Sequence, residues 1–331
     1  MVTLSQVVRF HELGGPSVLL LEQRAVPVQA EDEVLIKVMA IGLNRADKMF
    51  RTGQYLEKAR LPSMLGFEAV GTVVACGASV TGFAAGDMVG VVPGFEVGRY
   101  GTYAEHALIP ASHVLPQPAG LSPTEAAGLW MAYLTAYGGL VEAGRTGSGD
   151  WVAITAASSS VGLAAIQIAR RVGARPIAIT LTSAKREALL AAGAEAVIST
   201  TEESLDERLR ALAPDGLQCV FDAVGGPQVA VLADAMARRG TIVVHGALSP
   251  EPTPFPLKLA LKRSLSLRGF VYTEVTEDPD ALQRARAFIK LGIETGFLRP
   301  HIDKVFPLRD VVAAHEYLES NQQFGKIVMT V

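Results

Sequence analysis

The chain has 331 residues, 49% hydrophobic and 19% charged, a globular balance with more apolar mass than one ordinary core needs and enough for two. Thirty basic residues against 33 acidic give a formal charge of -3 with no basic block, which argues against non-specific nucleic-acid binding. Two cysteines exclude a disulfide framework and any four-cysteine metal site, and no stretch holds the roughly 20 unbroken apolar residues of a membrane span.

The opening MVTLSQVVRFHELGG alternates like a strand and lacks the basic start and apolar core of a signal peptide, so a cytoplasmic protein is expected. From Val7 to about Pro118 the chain is a series of short alternating or β-branched runs, among them Glu33–Ala40, Ala69–Ala75 and Asp87–Val92. Gly, Pro and Asp punctuate them, which predicts a small β-barrel-like domain. Arg45–Arg51 is free of Gly and Pro and stops before Gly53, so a short helix is expected there. Cys76 and Cys219 lie in apolar, strand-like runs and read as two buried thiols.

After Ser122 the rhythm changes. Ser122-Pro123 supplies an N-cap and a proline at the first position of a helix expected over Thr124–Val141. Strands at Trp151–Thr155, Pro176–Thr180, Ala196–Ser199, Leu217–Asp222 and Thr241–His245 then alternate with helices. The helices are expected at Val161–Val172, Ala184–Ala192, Glu203–Ala213 and Gln228–Arg238. This alternation predicts an α/β fold with βαβ units in a doubly wound parallel sheet. Asp278–Leu291 reads as a further helix. The tail (Val305–Pro307, Val311–Ser320, Lys326–Val331) reads as strand, helix, strand returning to the first domain.

The first strand of that series runs through Ala156, Ala157, Ser158, Ser159, Ser160, Val161 and Gly162 into its helix. Small residues there let a pyrophosphate approach the backbone, where free N–H groups and the helix dipole favour an anion. The strict G-x-G-x-x-G pattern is absent, and the turn also fits a tight packing corner. Its place between strand and helix, at the start of the βαβ run, favours a dinucleotide. NAD-binding folds usually place Asp or Glu about 20 residues further on. Here Thr182, Ser183, Lys185 and Arg186 stand in that region without a carboxylate, a set that suits a 2′-phosphate and predicts NADPH over NADH. Val224, Gly246 and Ala247 follow later strand ends and are expected to border the nicotinamide.

Several segments in order carry a resemblance: Gly42–Asp47, Arg51–Tyr55, Pro62–Glu68, Gly71–Val74, Ala85–Val89, the turn at 155–162 and Gly325–Val328. Together they resemble the medium-chain dehydrogenase/reductase superfamily, in its zinc-free quinone oxidoreductase-like branch, over essentially the whole chain. The resemblance implies a GroES-like catalytic domain from residues 1–124 and 297–331 and a Rossmann domain from 125–296. It places Asn44 beside the nicotinamide ribose or carboxamide, Thr135 facing the cofactor and Lys326 at the phosphate end. Phe270, closing the run Leu265–Phe270, joins the cofactor-binding set. Tyr55 is assigned to the acceptor, either as a hydrogen-bond or proton donor or as a stacking surface. Zinc-bearing relatives carry cysteine where this chain has Asn44 and histidine where it has Phe67, so no metal is expected, although Asp47 and Glu68 remain. The branch usually has glycines at Ser159 and Ser160, where a positive φ would strain serine.

Without a Lewis acid, an electron-poor acceptor suits such a site. The expected function is therefore reduction of a quinone by NADPH. The alternatives are an enoyl or enone reductase acting on conjugated carbonyls, a zinc-type alcohol dehydrogenase homologue, and an NADPH-binding protein without turnover. A small-molecule substrate and a homodimer joined through an edge strand near Thr241–His245 or Leu265–Phe270 complete the expectation, with no nucleic-acid or membrane partner.

Overall fold

In the computed structural model, which describes residues 3–331, the chain separates into two units. One runs to Met131 and resumes over Arg299–Val331; the other is Ala132–Leu298. The first is organised by the strand Glu33–Gly42, which pairs with three neighbours and whose apolar residues, Met39 apart, are buried. Its seven-stranded sheet runs in the order Ile302–Pro307, Lys326–Thr330, Glu33–Gly42, Ala69–Cys76, Met88–Val91 and Val114–Pro116, with His106–Pro110 also on Glu33–Gly42. The pairing of Val328 with Gly42 brings the C-terminal strand to the end of the central one. The segment Pro123–Ala126 belongs to this unit, with Ala126 and Ala127 packed against Ala40, Val70 and Val328.

The second unit is a six-stranded parallel sheet in the order Ala196–Ser199, Arg175–Thr180, Trp151–Ile154, Leu217–Asp222, Met236–Val244 and Ser266–Gly269. The edge strand is therefore Ser266–Gly269 and not Thr241–His245, which lies inside the sheet. Helices Ser160–Arg171, Leu205–Leu212 and Gln228–Asp234 connect the strands, and Pro279–Glu294 follows.

Three expectations change. The continuous helix over Thr124–Val141 is broken into Pro123–Ala126, Trp130–Tyr137 and a π-helical turn Gly138–Ala143. The wide turn presses onto Phe221, whose ring lies 2.2 Å from where a Cβ on Gly139 would stand, so only glycine fits. The helix expected to reach Arg238 ends at Asp234 and Met236 begins the next strand, because Arg263 donates to the carbonyls of Asp234 and Met236 and caps the helix end. Cys219 is buried but Cys76 is only half-buried, at the end of its strand.

Candidate active site

In the first unit, the strand Glu33–Gly42 hands over to the helix Arg45–Arg51 through Asn44, which caps it: the Asp47 carboxylate accepts the Asn44 backbone N–H at 2.8 Å. The Asn44 side chain turns into a buried network. Its Nδ2 donates to the Gly42 carbonyl (3.2 Å) and to Glu68 Oε1 (3.1 Å), while its Oδ1 accepts from Lys326 Nζ at 2.7 Å. Lys326 also pairs with Glu68 Oε1, and Glu68 Oε2 accepts the Met131 N–H at 3.0 Å. Both charged side chains are buried, so each charge is balanced by a partner and not by water. The slot is shaped around the lysine: a Cβ on Gly42 would lie 2.7 Å from Lys326 Cε and 2.0 Å from the Ala127 carbonyl oxygen.

This placement corrects the expected role of Lys326. Its ammonium is held by Asn44 and Glu68, so it sets the orientation of the Asn44 amide and is not extended toward a phosphate. Tyr55 comes to the same neighbourhood: its half-buried ring meets Phe67 edge-on, with centroids 5.1 Å apart. Adjacent residues Phe67 and Glu68 thus carry Tyr55 and Asn44 respectively. Behind Asn44, burial pushes the Asp47 carboxyl up to about 7, against the pull of the Asn44 N–H and the nearby Lys326 charge. The Tyr103 hydroxyl faces Asp47 and lies 3.2 Å from His315 Nε2. Burial drives His315 down to about 3 and Tyr103 far above the ordinary phenol range.

In the second unit, the turn after Trp151–Ile154 leads into the helix Ser160–Arg171. The positive φ falls on Ala156 (47°), while Ser159 has φ -73°. The strain anticipated at serine is absent there, and the Ser159 hydroxyl caps the helix by accepting the Gly162 N–H at 3.0 Å. Ser160 and Val161 lie in the first turn, where N–H groups find no carbonyl of their own helix, and they fit a pyrophosphate. Ala157 is buried and donates to the Ile179 carbonyl, whereas Ser158 is half-buried and accepts from Lys185 Nζ at 3.4 Å.

Thr182, Ser183 and Lys185 stand together at the end of Arg175–Thr180. Arg186 does not join them as an anion site. Its guanidinium donates to the Val197 carbonyl and the Ser199 hydroxyl and pairs with Glu203. The segment 181–186 itself carries no carboxylate, as expected, but Glu202, from the turn after Ala196–Ser199, comes beside it and accepts the Ser183 N–H at 2.9 Å.

Val224 and Gly246 sit in loops stitched by backbone hydrogen bonds, Leu248 to Ala223 and Ser249 to Val224, with Ala247 exposed. Sequence reasoning missed what holds them. Buried Asp222 accepts from Thr155 Oγ1 (2.7 Å), Val224 N–H (3.0 Å) and Gly225 N–H (2.9 Å), and Thr155 Oγ1 accepts the Ala223 N–H. The signal available was a threonine and an aspartate at the ends of adjacent parallel strands. His245 stacks on Phe221 at 3.9 Å, and burial lowers it to about 3. Thr135 is buried in Trp130–Tyr137. Phe270 is a core residue whose ring packs where a Cβ on Gly138 would be.

Among the described residues no group of three or more His, Cys, Asp or Glu side chains is arranged to hold a metal ion. The position resembling a zinc site offers Asn44, Phe67 and a Glu68 already paired with an ammonium, a donor set that does not fit zinc. No helix among the described residues is long and apolar enough to cross a membrane.

The chain matches a zinc-binding dehydrogenase family model over residues 160–289 and an alcohol dehydrogenase GroES-like domain model over residues 30–119. It is 31% identical to a quinone oxidoreductase of Lama guanicoe, covering 98% of this chain and 97% of that protein. The solved structure of Escherichia coli quinone oxidoreductase complexed with NADPH superposes with a TM-score of 0.91 at 30% identity, covering 98% of this chain and all of the other. A structure described as an NAD-dependent alcohol dehydrogenase is comparable, with a TM-score of 0.90 at 31% identity over 98% of this chain and 99% of that one. The parallel sheet is a Rossmann fold, and the N-terminal part carries the GroES-like domain. The chain belongs to the medium-chain dehydrogenase/reductase superfamily, in its quinone oxidoreductase-like branch.

Proposed function

We propose that this chain is an NADPH-dependent oxidoreductase that transfers hydride or electrons to a quinone without zinc. The observation that carries the reading is the buried trio Asn44, Glu68 and Lys326, an organised amide held by a fixed ion pair where zinc-bearing relatives place metal ligands. The relatives named quinone oxidoreductase, one of them solved with NADPH, support the cofactor and the acceptor class.

Bound NADPH supplies the hydride. The protein's part is to hold and orient. The N–H groups of Ser160 and Val161 receive the pyrophosphate, Thr182, Ser183 and Lys185 receive the 2′-phosphate, and the loops at Val224 and Gly246 border the nicotinamide. Asn44, locked by Lys326, addresses the nicotinamide ribose or carboxamide. Tyr55, braced on Phe67, offers the acceptor a flat surface and a phenol hydrogen bond. A quinone carbonyl is electron-poor, so hydrogen bonding suffices where a saturated alcohol–ketone pair would call for a metal. A two-electron cycle consumes one NADPH, one quinone and one proton and yields NADP and hydroquinone.

In this reading the unit that runs to Met131 and resumes over Arg299–Val331 is the catalytic domain, several residues longer at the first boundary than expected from sequence, and Ala132–Leu298 is the cofactor domain. The protein acts in the cytoplasm, consistent with two unpaired cysteines. It is a homodimer, joined through the exposed edge strand Ser266–Gly269.

The test is initial rates of NADPH and NADH oxidation with a quinone and a conjugated enal, on chelator-treated protein. Quinone turnover with NADPH that survives chelation is expected. Loss on chelation with recovery by zinc overturns the zinc-free reading. Faster turnover of the enal makes the protein an enone reductase, and saturable NADPH binding without turnover makes it a binding protein.

A further inference from the structure

Ser183 is one of the groups assigned to the 2′-phosphate, yet its N–H donates to Glu202 Oε1 at 2.9 Å. Its hydroxyl donates to the same carboxylate. A donor engaged by a carboxylate is not available to a phosphate, and the two anions repel at this distance. We propose that Glu202 is a displaceable carboxylate that occupies the 2′-phosphate seat in the cofactor-free protein and sets the preference between NADPH and NADH. This rests on the assignment of Thr182, Ser183 and Lys185 as that seat.

The local structure separates a fixed backbone from a movable side chain. Parallel pairing of Ala196–Ser199 with Arg175–Thr180 continues beyond the strand ends. Thr200 N–H donates to the Thr180 carbonyl at 2.9 Å, and Thr201 donates to the Leu181 carbonyl through its N–H (3.0 Å) and hydroxyl (2.7 Å). The Glu202 N–H is tied back to Ser199. Glu202 is therefore delivered beside Ser183 by the sheet, but its side chain is exposed and can rotate into water without breaking the backbone. Neighbouring Glu203 is different: it accepts the Ser199 N–H and pairs with both Arg186 and Arg208. Glu203 thus anchors both guanidinium groups in ion pairs, while the Glu202 carboxylate is spent on the Ser183 donors.

The sign of its effect differs between the two cofactors. Against a 2′-phosphate the carboxylate competes for the Ser183 donors and repels. Against the 2′-hydroxyl of NADH it is an acceptor, the part that Asp or Glu plays at the second strand of NAD-binding sheets. Glu202 would bring that function from the third strand, at a position a scan along the second strand does not reach.

The test compares dissociation constants of NADPH and NADH, read by nucleotide fluorescence, for the full-length protein and for Glu202→Gln, Glu202→Ala, Ser183→Ala and Lys185→Ala. Glu202 is an exposed loop residue, so its variants are expected to melt with the parent. The Glu202 variants should bind NADPH on the order of fivefold more tightly and NADH no better than the parent, while Lys185→Ala weakens NADPH selectively. If the Glu202 variants leave the NADPH-to-NADH ratio within twofold while Lys185→Ala or Ser183→Ala lowers it, the seat stands and the role of Glu202 is overturned. If none of the four changes the ratio, the seat itself is wrong and the proposal falls with it.

Discussion

Lys326 Nζ stands 2.7 Å from Asn44 Oδ1, with Glu68 as the counter-charge of the same ammonium. A buried charge without its partner costs far more than the pair contributes. Lys326→Met should therefore destabilise the protein by about 3–5 kcal/mol, and Lys326→Met with Glu68→Gln should recover much of that. Urea denaturation of the two single variants and the double variant checks this. Equal, additive losses would mean that the pair is not coupled.

Asp47 makes stability depend on pH in an unusual direction for a carboxylate. Burial raises its folded value from 3.8 to about 7, so the folded chain binds this proton more tightly than the unfolded chain. Its contribution is fully present below about pH 4 and is lost as pH rises to about 7. His245 and His315, both lowered from 6.5 to about 3, act oppositely and weaken the fold as pH falls through that window. Asp47→Asn isolates the first effect. Its stability should rise relative to the parent by about 1.4 kcal/mol per pH unit across the window, and parallel denaturation profiles would contradict the burial argument.

Thr155 and Asp222 link the ends of two adjacent strands and thereby shape the loop from Ala223 to Gly226. Thr155→Val keeps the volume and removes the hydroxyl, leaving the Ala223 N–H without its acceptor. A loss of about 1–3 kcal/mol is expected, with weaker NADPH binding, and Thr155→Ser should restore both. Thermal melts beside a cofactor titration decide it. A variant that melts like the parent would remove Asp222 and Thr155 from the support of the site.

Legibility followed distance along the chain. The helix Ser160–Arg171 and the strands around it announce themselves because period, cap and turn residues are local. Asn44, Tyr55 and the turn at 156–162 are likewise proposed from short segments, each lying within a few residues of the motif that marks it. What stayed hidden was set by sheet pairing. Lys326 reaches Asn44 because Val328 pairs with Gly42, and Glu202 reaches Ser183 because their parent strands lie side by side. Neither register leaves a mark in a short window of sequence. The π-helical turn at Gly138–Ala143 escaped for a related reason, since the periodic pattern of Thr124–Val141 carries no sign of the Phe221 ring that shapes it.

The phosphate turn joins a strained residue to a cap, and the two make separable predictions. Ala156 adopts φ 47°, a left-handed conformation that costs a residue with a Cβ roughly 1–2 kcal/mol. Ala156→Gly relieves that cost and adds flexibility to the unfolded chain, so a net gain of about 0.5–1 kcal/mol is expected. Ser159→Ala removes the acceptor of the Gly162 N–H and should cost about 1 kcal/mol. The same change leaves the Gly162 N–H open at the helix start, where it adds a donor for a pyrophosphate. Ser159→Ala should therefore melt lower than the parent without cofactor, and that deficit should shrink once NADPH is saturating. Melting curves with and without cofactor measure both quantities. A deficit that is unchanged or larger with NADPH would show that the Ser159 hydroxyl, and not the freed backbone group, is what the phosphate meets.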